Sequence, residues 1–285
     1  MADTDASVLI TGESGTGKEL VARSIHRQSG RHDAPFIAIN CAAIPRDLLE
    51  SELFGHVKGA FTGAIRDYSG RIAACEGGTL LLDEISELAP NVQPKLLRFL
   101  QDREYERMGD NKTRKSDVRV ISATNVDLED AVKQGKFRED LLYRLNVIQI
   151  EIPALRDRPE DVEALAEVLL AFFRRKYHNR LIGFSEEALV ALKQHLWPGN
   201  IRELRNTVER AAILCKSDRI GIEHLPGNIV LTPAVPRIGD SLSLAKIEEE
   251  HIRRILATSK SMQEAADTLG IDQATLWRRR KQYGI

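Results

Sequence analysis

The stretch Gly12-Glu13-Ser14-Gly15-Thr16-Gly17-Lys18 follows directly on the aliphatic run Ser7–Thr11 and opens into a helical pattern, Lys18–Gln28. A strand, a turn of the form G-x-x-x-x-G-K and a helix, in that order, point to a parallel sheet covered by helices. Glycines let backbone N–H groups close around phosphate oxygens, and the helix N-terminus adds the positive end of its dipole. Lys18 would reach the outer phosphates of a nucleotide. Glu19 stands where a Ser or Thr magnesium ligand is common. The alternative is a glycine-rich turn that holds no nucleotide.

Four further runs read as strands: Phe36–Asn40, Thr79–Asp83, Val118–Ala123 and Val147–Ile152. Helical pattern lies between them, at Arg46–Phe54 and Val92–Gln101. This alternation predicts an α/β domain over residues 1–153. The run Thr79-Leu80-Leu81-Leu82-Asp83-Glu84 places two carboxylates at a strand's C-terminal edge, where ligands bind in open α/β sheets. Asp83 suits a magnesium (Mg2+) shell, and Glu84 suits a base that orients attacking water. An acidic pair after a strand is usually just a solvated strand end. Following a G-x-x-x-x-G-K turn, it points to hydrolysis of a nucleoside triphosphate. The chain has no Asn-Lys-x-Asp guanine motif, which favours ATP over GTP, and nothing resembles the acceptor pocket of a small-molecule kinase.

Beyond Arg158 the strand signal stops. Glu160–Tyr177, Ser185–His195 and Asn200–Cys215 carry helical apolar spacing, with Ser185 as N-cap before Glu186 and Glu187. They predict an all-helical domain over residues 154–230. Within it, Trp197-Pro198-Gly199 reads as a turn and Asn200 as the cap of the next helix. Pro233 and Pro236 mark Leu231–Gly239 as linker, so residues 231–243 separate this domain from a last one, residues 244–285.

That last domain reads as three helices, Leu244–Thr258, Met262–Leu269 and Gln273–Tyr283. Ser261 and Glu264 form a capping box, Gly270 ends the second helix, and Asp272 caps the third. Two short helices around a glycine turn are the helix-turn-helix signature, whose second helix enters the major groove of DNA. Gln273, Ala274 and Thr275 lie where base edges would be; Arg278, Arg279 and Lys281 suit phosphates, with a base contact also open to Arg278. Leu244–His251 would pair two copies. Charge supports this division. The whole chain is −1, but seven basic against three acidic residues from His251 onward leave the end +4 and the rest −5. The bland alternative is a solvated basic face.

Apolar residues make up 42 %, an ordinary globular value that excludes a disordered chain. No apolar run approaches the roughly 18 residues of a membrane span, and no signal-peptide pattern opens the chain. Cys41, Cys75 and Cys215 are odd in number and scattered, which argues against a disulfide framework or zinc knuckle. A soluble protein of the cytoplasm, with no membrane partner, is expected.

Between the two halves of the phosphate site lies Gly59-Ala60-Phe61-Thr62-Gly63-Ala64. Small residues around one aromatic make a loop that can move, and Phe61 would be costly to expose without a partner. The plainer reading is a surface turn with Phe61 folded into the core. This hexapeptide, with Gly-Glu-Ser-Gly-Thr-Gly-Lys-Glu before it, resembles the central domain of the NtrC-type bacterial enhancer-binding proteins. These are AAA+ ATPases that activate RNA polymerase carrying sigma-54. The resemblance covers about Ser7–Leu225 for the ATPase, and Leu244–Ile285 resembles the family's Fis-type DNA module.

The resemblance implies an AAA+ P-loop ATPase with a helical lid and a C-terminal helix-turn-helix domain, using ATP and Mg2+ in the bacterial cytoplasm. It makes Glu19 a normal residue and Gly59–Ala64 the sigma-54 contact, with Phe61 and Thr62 critical and Arg103–Gly109 a supporting second loop. It implies that Asn40 holds Glu84 from water, the alternative being a buried turn former. Thr124 and Asn125 would sense the γ-phosphate, and Arg202 would sense the phosphates from the lid. Arg138 and Arg144 would serve a neighbouring subunit's ATP as arginine fingers. Six residues turn a helix through about 600°, so the two share no face, and contacts across an interface explain them more easily than an intrahelical pair. The alternative is salt bridging with Glu139 or Asp140. Arg156 and Arg158 receive no role.

The implied partners are sigma-54 with its polymerase holoenzyme, double-stranded enhancer DNA and further copies of the chain, from dimer to hexamer. An N-terminal regulatory domain, either a two-component receiver or a ligand sensor, is expected to be missing. Two rivals remain: an ATP-regulated DNA-binding repressor that does no remodelling, and a DNA-processing AAA+ motor. The complete Gly59–Ala64 sequence argues against both.

Overall fold

A computed structural model describes residues 4–178, 180–230, 243–259 and 261–283; the linker Leu231–Gly239 lies outside them. Contacts divide the chain into two compact units, Met1–Gly183 with Leu196–Asp218, and Phe184–His195 with Arg219–Ile285.

The first unit is built on β1 (Val8–Thr11), β2 (Phe36–Asn40), β3 (Thr79–Asp83), a hairpin of β4 (Glu104–Tyr105) and β5 (Arg114–Lys115), β6 (Arg119–Thr124) and β7 (Ile148–Glu151). Five of these form one parallel sheet in the order β2-β3-β6-β1-β7. The central strands read as continuous apolar runs because both faces are covered. Leu80 and Leu82 on β3 enter one core with Leu9 and Val120, whereas Leu81 enters the other with Val8, Ile10, Ile121 and Ala123.

Helices cover both faces. Ala22 of α1 (Lys18–Arg27) packs into the second core. The first core takes Leu49 and Leu53 of α2 (Arg46–Phe54), Ile72 of α3 (Gly70–Ala74) and Leu96 and Phe99 of α4 (Val92–Asp102). It also takes Leu128 of α5 (Leu128–Lys133) and Leu141 and Leu145 of α6 (Glu139–Leu145). Helix α7 (Asp161–Tyr177) belongs to this unit, α8 (Glu186–Gln194) to the other, and α9 (Asn200–Leu214) to this one again. The Ser185 side chain accepts from the amide of Ala188, as an N-cap should.

The second unit also holds a short turn, α10 (Gly227–Val230), and three helices: α11 (Leu244–Thr258), α12 (Met262–Leu269) and α13 (Gln273–Tyr283). Ile252, Ala265, Ala266 and Leu276 are buried together and fix the three against one another. Ser261 Oγ accepts from the Glu264 amide, and Gly270, at φ 65°, turns the chain into α13.

Candidate functional site

Parallel pairing brings the chemistry to one edge. Strands β3, β6 and β1 are neighbours, so Asp83, Thr124 and Thr11 end side by side, with Thr11 paired to Thr124 and Asn40 to Asp83. The Gly12–Lys18 loop leaves β1 there. Among the described residues, the amides of Gly15, Gly17, Lys18 and Glu19 make no backbone hydrogen bond. A row of unpaired N–H groups at a helix N-terminus is a phosphate cradle. Residue 15 has to be glycine twice over: its φ is 80°, and a Cβ would stand 2.5 Å from the Gly199 carbonyl.

Lys18 is buried, and its Nζ donates to the carbonyls of Gly12 (2.8 Å) and Glu13 (3.2 Å). Burial pushes its pKa down, while the carboxylates of Glu84 and Asp83 oppose that shift. One site therefore joins the loop lysine to both acids. Glu84 takes a left-handed backbone, φ 52°, and its amide donates to Asp83 Oδ1 at 3.1 Å. This acid pair fits Mg2+, a hard ion that takes one or two carboxylates beside phosphate oxygens and keeps several waters. Glu19, by contrast, lies along α1 and pairs with Arg23 at 2.7 Å.

Several side chains sit otherwise than the sequence reading expects. Asn40 is exposed rather than buried. Its Oδ1 accepts from the amides of Ala42 and Ala43, and its Nδ2 lies 3.4 Å from Asp83 Oδ2, not on Glu84. The register that pairs Asn40 with Asp83 is the reason. Thr124 is buried, and its hydroxyl closes a turn on the backbone of Val126. Asn125 lines a cleft of about 380 Å³ with Thr11, Gly12, Glu13, Thr124 and Glu151.

The helical argument for Arg138 fails because α6 begins at Glu139 and Arg138 precedes it in extended conformation. Arg138 makes the intrachain pair, 2.7 Å from Asp140. Arg144, in the last turn of α6, donates both Nε and NH2 to the Leu100 carbonyl at 3.1 Å.

Asn200 is not a cap. It is the first residue of α9, fully buried at φ 53°, and Gly199 holds the cap position. A left-handed non-glycine backbone costs about 1–2 kcal/mol. The Asn200 side chain offsets that with three bonds: from the Leu155 amide (2.8 Å), and to Glu13 Oε2 (3.1 Å) and the Ser14 carbonyl (3.0 Å). Arg202 NH1 donates to Ser14 Oγ at 2.9 Å and its amide donates to the Gly15 carbonyl, so two residues of α9 hold the loop.

Arg156, given no role by the sequence reading, grips Glu13, with NH1 2.9 Å from Oε2. That hydrogen bond first, and the one from Asn200 second, hold the Glu13 carboxyl down to about 2. The pair is open to water, so the stability it gives is small; that contribution is present above the ordinary value of 4.5 and is lost as pH falls through about 2. No local signal marks Arg156 in the sequence; the pairing of Thr11 with Glu151 is what brings the residues past the two strand ends together.

The Gly59–Ala64 loop closes on itself, the Gly59 amide donating to the Ala64 carbonyl at 2.9 Å. Phe61 neither enters the core nor stands free. It packs edge-on against His56, with ring centroids 5.0 Å apart, while Thr62 is exposed. The Arg103–Gly109 segment is one side of the β4–β5 hairpin, which continues to Lys115. It braces the loop: the Val57 amide donates to Met108, the Met108 amide donates to Gly55, and a Cβ on Gly109 would stand 2.8 Å from Ala60 Cβ.

In the second unit, Gln273, Ala274 and Arg278 are exposed along α13 with Lys281, while the Thr275 hydroxyl is spent on Asp272. Arg279 pairs with Glu248 of α11 at 3.1 Å, so it is engaged within the fold. Trp277 is 58 % exposed on α13, with Lys281 Nζ 5.5 Å from its ring centroid. Leu244, on the expected pairing helix, is almost wholly exposed.

Comparison with known families matches residues 1–151 to the Sigma-54 interaction domain. The chain belongs to the sigma-54 interaction domain family. This domain is followed by a match to the AAA+ ATPase lid domain over residues 156–236 and to the Fis family of bacterial regulatory proteins over residues 243–283. The α/β sheet, helical lid and C-terminal helix-turn-helix are therefore the architecture that the motifs implied, save that two short strands, Gly183–Phe184 and Arg219–Ile220, stand where residues 154–230 read as all-helical.

The chain is 54 % identical over 287 residues to the alginate biosynthesis transcriptional regulatory protein AlgB of Pseudomonas syringae pv. tomato, covering 100 % of this chain and 64 % of AlgB. It is 48 % identical to the transcriptional regulatory protein ZraR of Salmonella typhimurium, covering 97 % of this chain and 63 % of ZraR. NtrX from Brucella abortus, solved in complex with ATP, superposes with a TM-score of 0.76 at 35 % identity, covering 100 % of this chain and 65 % of NtrX. The chain thus spans just under two thirds of the length of these relatives. Among the described residues, no helix of this family member is long and apolar enough to cross a membrane.

Proposed function

We propose that this chain is the ATP-driven and DNA-binding portion of a sigma-54-dependent transcription activator. The observation that carries the proposal lies within one compact unit. The Lys18 cradle and the Asp83–Glu84 pair share a sheet edge, and the same unit presents the Gly59–Ala64 loop on its own hairpin brace.

ATP would lie on the Gly12–Lys18 amides, with Lys18 exchanging the Gly12 and Glu13 carbonyls for phosphate oxygens. Asp83 would hold Mg2+, which when bound supplies charge neutralisation at the phosphates. Glu84 would take the proton of the attacking water. Arg202 and Asn200 would tie α9 to the occupied loop. Arg138 and Arg144 would complete the site of a neighbouring copy, so a ring, a hexamer by resemblance to the family, would be the active state.

Hydrolysis would change the affinity of the Gly59–Ala64 loop for sigma-54, because a ligand drives a conformational change only through such a difference. Phe61, held on His56 in the resting loop, would be released to that partner with Thr62 beside it. The helix-turn-helix would hold enhancer DNA through α13 and raise the local concentration of the ATPase near the promoter.

Trapping tests this reading. With ADP and aluminium fluoride as transition-state mimic, purified sigma-54 is expected to co-migrate with the chain on a native gel. With ADP alone it should not. Thr62→Ala should abolish the complex while leaving ATP turnover in place. A chain that hydrolyses ATP and forms no trapped complex would contradict the activator reading and leave an ATP-regulated DNA binder.

A further inference from the structure

Glu13 sets a problem that the proposed chemistry does not solve. It is the second residue of a loop meant to hold a polyphosphate, and an uncompensated carboxylate there repels the ligand. The two ends of this residue are kept apart. Its carbonyl accepts from Lys18 Nζ (3.2 Å) and Thr16 Oγ1 (2.8 Å) on the cradle side. Its carboxylate is taken by Arg156, bidentate, and by Asn200 Nδ2 at 3.1 Å.

Stability does not explain this arrangement. The Glu13 and Arg156 side chains are 44 % and 40 % exposed, and ion pairs that open to water contribute little to folding. Asn200, buried in a left-handed conformation, stays there because its amide bridges Glu13, the Ser14 carbonyl and the Leu155 amide. Arg156 and Asn200 come from the two ends of the segment that carries α7, and both reach the same carboxylate.

We propose that Arg156 and Asn200 are positioning residues for the nucleotide: Arg156 neutralises the Glu13 carboxylate, and with the Asn200 amide holds it away from the phosphate cradle, so that a loop bearing an acid accepts a polyanion. This rests on the reading of Gly12–Lys18 as an ATP site. Removing Arg156 alone then does more harm than removing both charges. Without its guanidinium, Glu13 is free to face the phosphates; with both gone, the repulsion goes too. A pair that merely braced the fold would behave differently, the double variant being no better than either single one.

The test is ATP binding in the presence of Mg2+, by titration calorimetry on the full chain, for wild type, Arg156→Ala, Arg156→Lys and Arg156→Ala/Glu13→Gln, with thermal unfolding of each. Arg156→Ala is expected to weaken binding about tenfold or more, the double variant to recover most of that loss, and Arg156→Lys to fall between. An Arg156→Ala affinity within about twofold of wild type would overturn the proposal, as would a double variant no tighter than Arg156→Ala. So would a lowered unfolding temperature with unchanged affinity. Failure of the wild-type chain to bind ATP would be a separate result and would remove the nucleotide reading on which the proposal stands.

Discussion

Arg144→Ala is expected to lower ATP turnover by about three powers of ten or more, with ATP binding to the isolated chain little changed. An arginine presented to another subunit's phosphates stabilises charge only in the transition state, and losses of that order follow its removal. The structure separates the two candidate fingers. Arg138 is neutralised by Asp140 and must give up that pair before it can serve a neighbour. Arg144 donates to a neutral carbonyl, that of Leu100, and among the described residues no carboxylate pairs with it. The larger loss is therefore expected at Arg144. The check is complementation. Arg144→Ala and Lys18→Ala chains, each inactive alone, should regain part of the activity when mixed, because an intact Lys18 and an intact Arg144 can then meet at one interface. Mixtures as inactive as their components would show that the arginine acts within its own chain.

The second large effect is at Glu84. Replacing its carboxylate with the isosteric amide in Glu84→Gln should lower kcat by about two to four powers of ten, the range that general-base catalysis contributes. ATP should still bind, since Lys18 and the loop amides are untouched. Asp83→Asn should differ, weakening the Mg2+ dependence of binding as well as turnover, because Asp83 is the candidate ligand at the strand end. Single-turnover hydrolysis beside equilibrium ATP binding separates the two carboxylates. Equal loss of binding in both variants would contradict their division into base and ligand.

How much of this was open to sequence reading follows from the physics of each element. Thr79–Asp83 was legible to the residue because a strand buried on both faces appears as an unbroken apolar run between turn signals. The helix-turn-helix was equally legible, as its boundaries are written in local caps, Ser261 and Asp272. The β4 and β5 strands are two residues each and carry no period, so the sequence shows the hairpin only as a segment ending at Gly109.

The site was legible in its motifs but not in its side-chain partners. Asn200 follows a Pro-Gly turn just as a capping residue would. Only tertiary structure shows its amide spent on Glu13, Ser14 and Leu155 while its backbone turns left-handed. Arg156 stands 143 residues from Glu13, and nothing in local spacing joins them. Arg279 reads as one more base in a basic run until α11 brings Glu248 beside it.

Promoter melting bears most directly on the claim that this chain converts ATP hydrolysis into remodelling of a sigma-54 polymerase complex. Single-stranded thymines would be probed by permanganate at a sigma-54-dependent promoter, with polymerase, sigma-54 and the chain present. Melting is expected with ATP, and not with a non-hydrolysable analogue, with Glu84→Gln or with Thr62→Ala. Melting that proceeds without hydrolysis, or an active ATPase that leaves the promoter closed, would contradict the account.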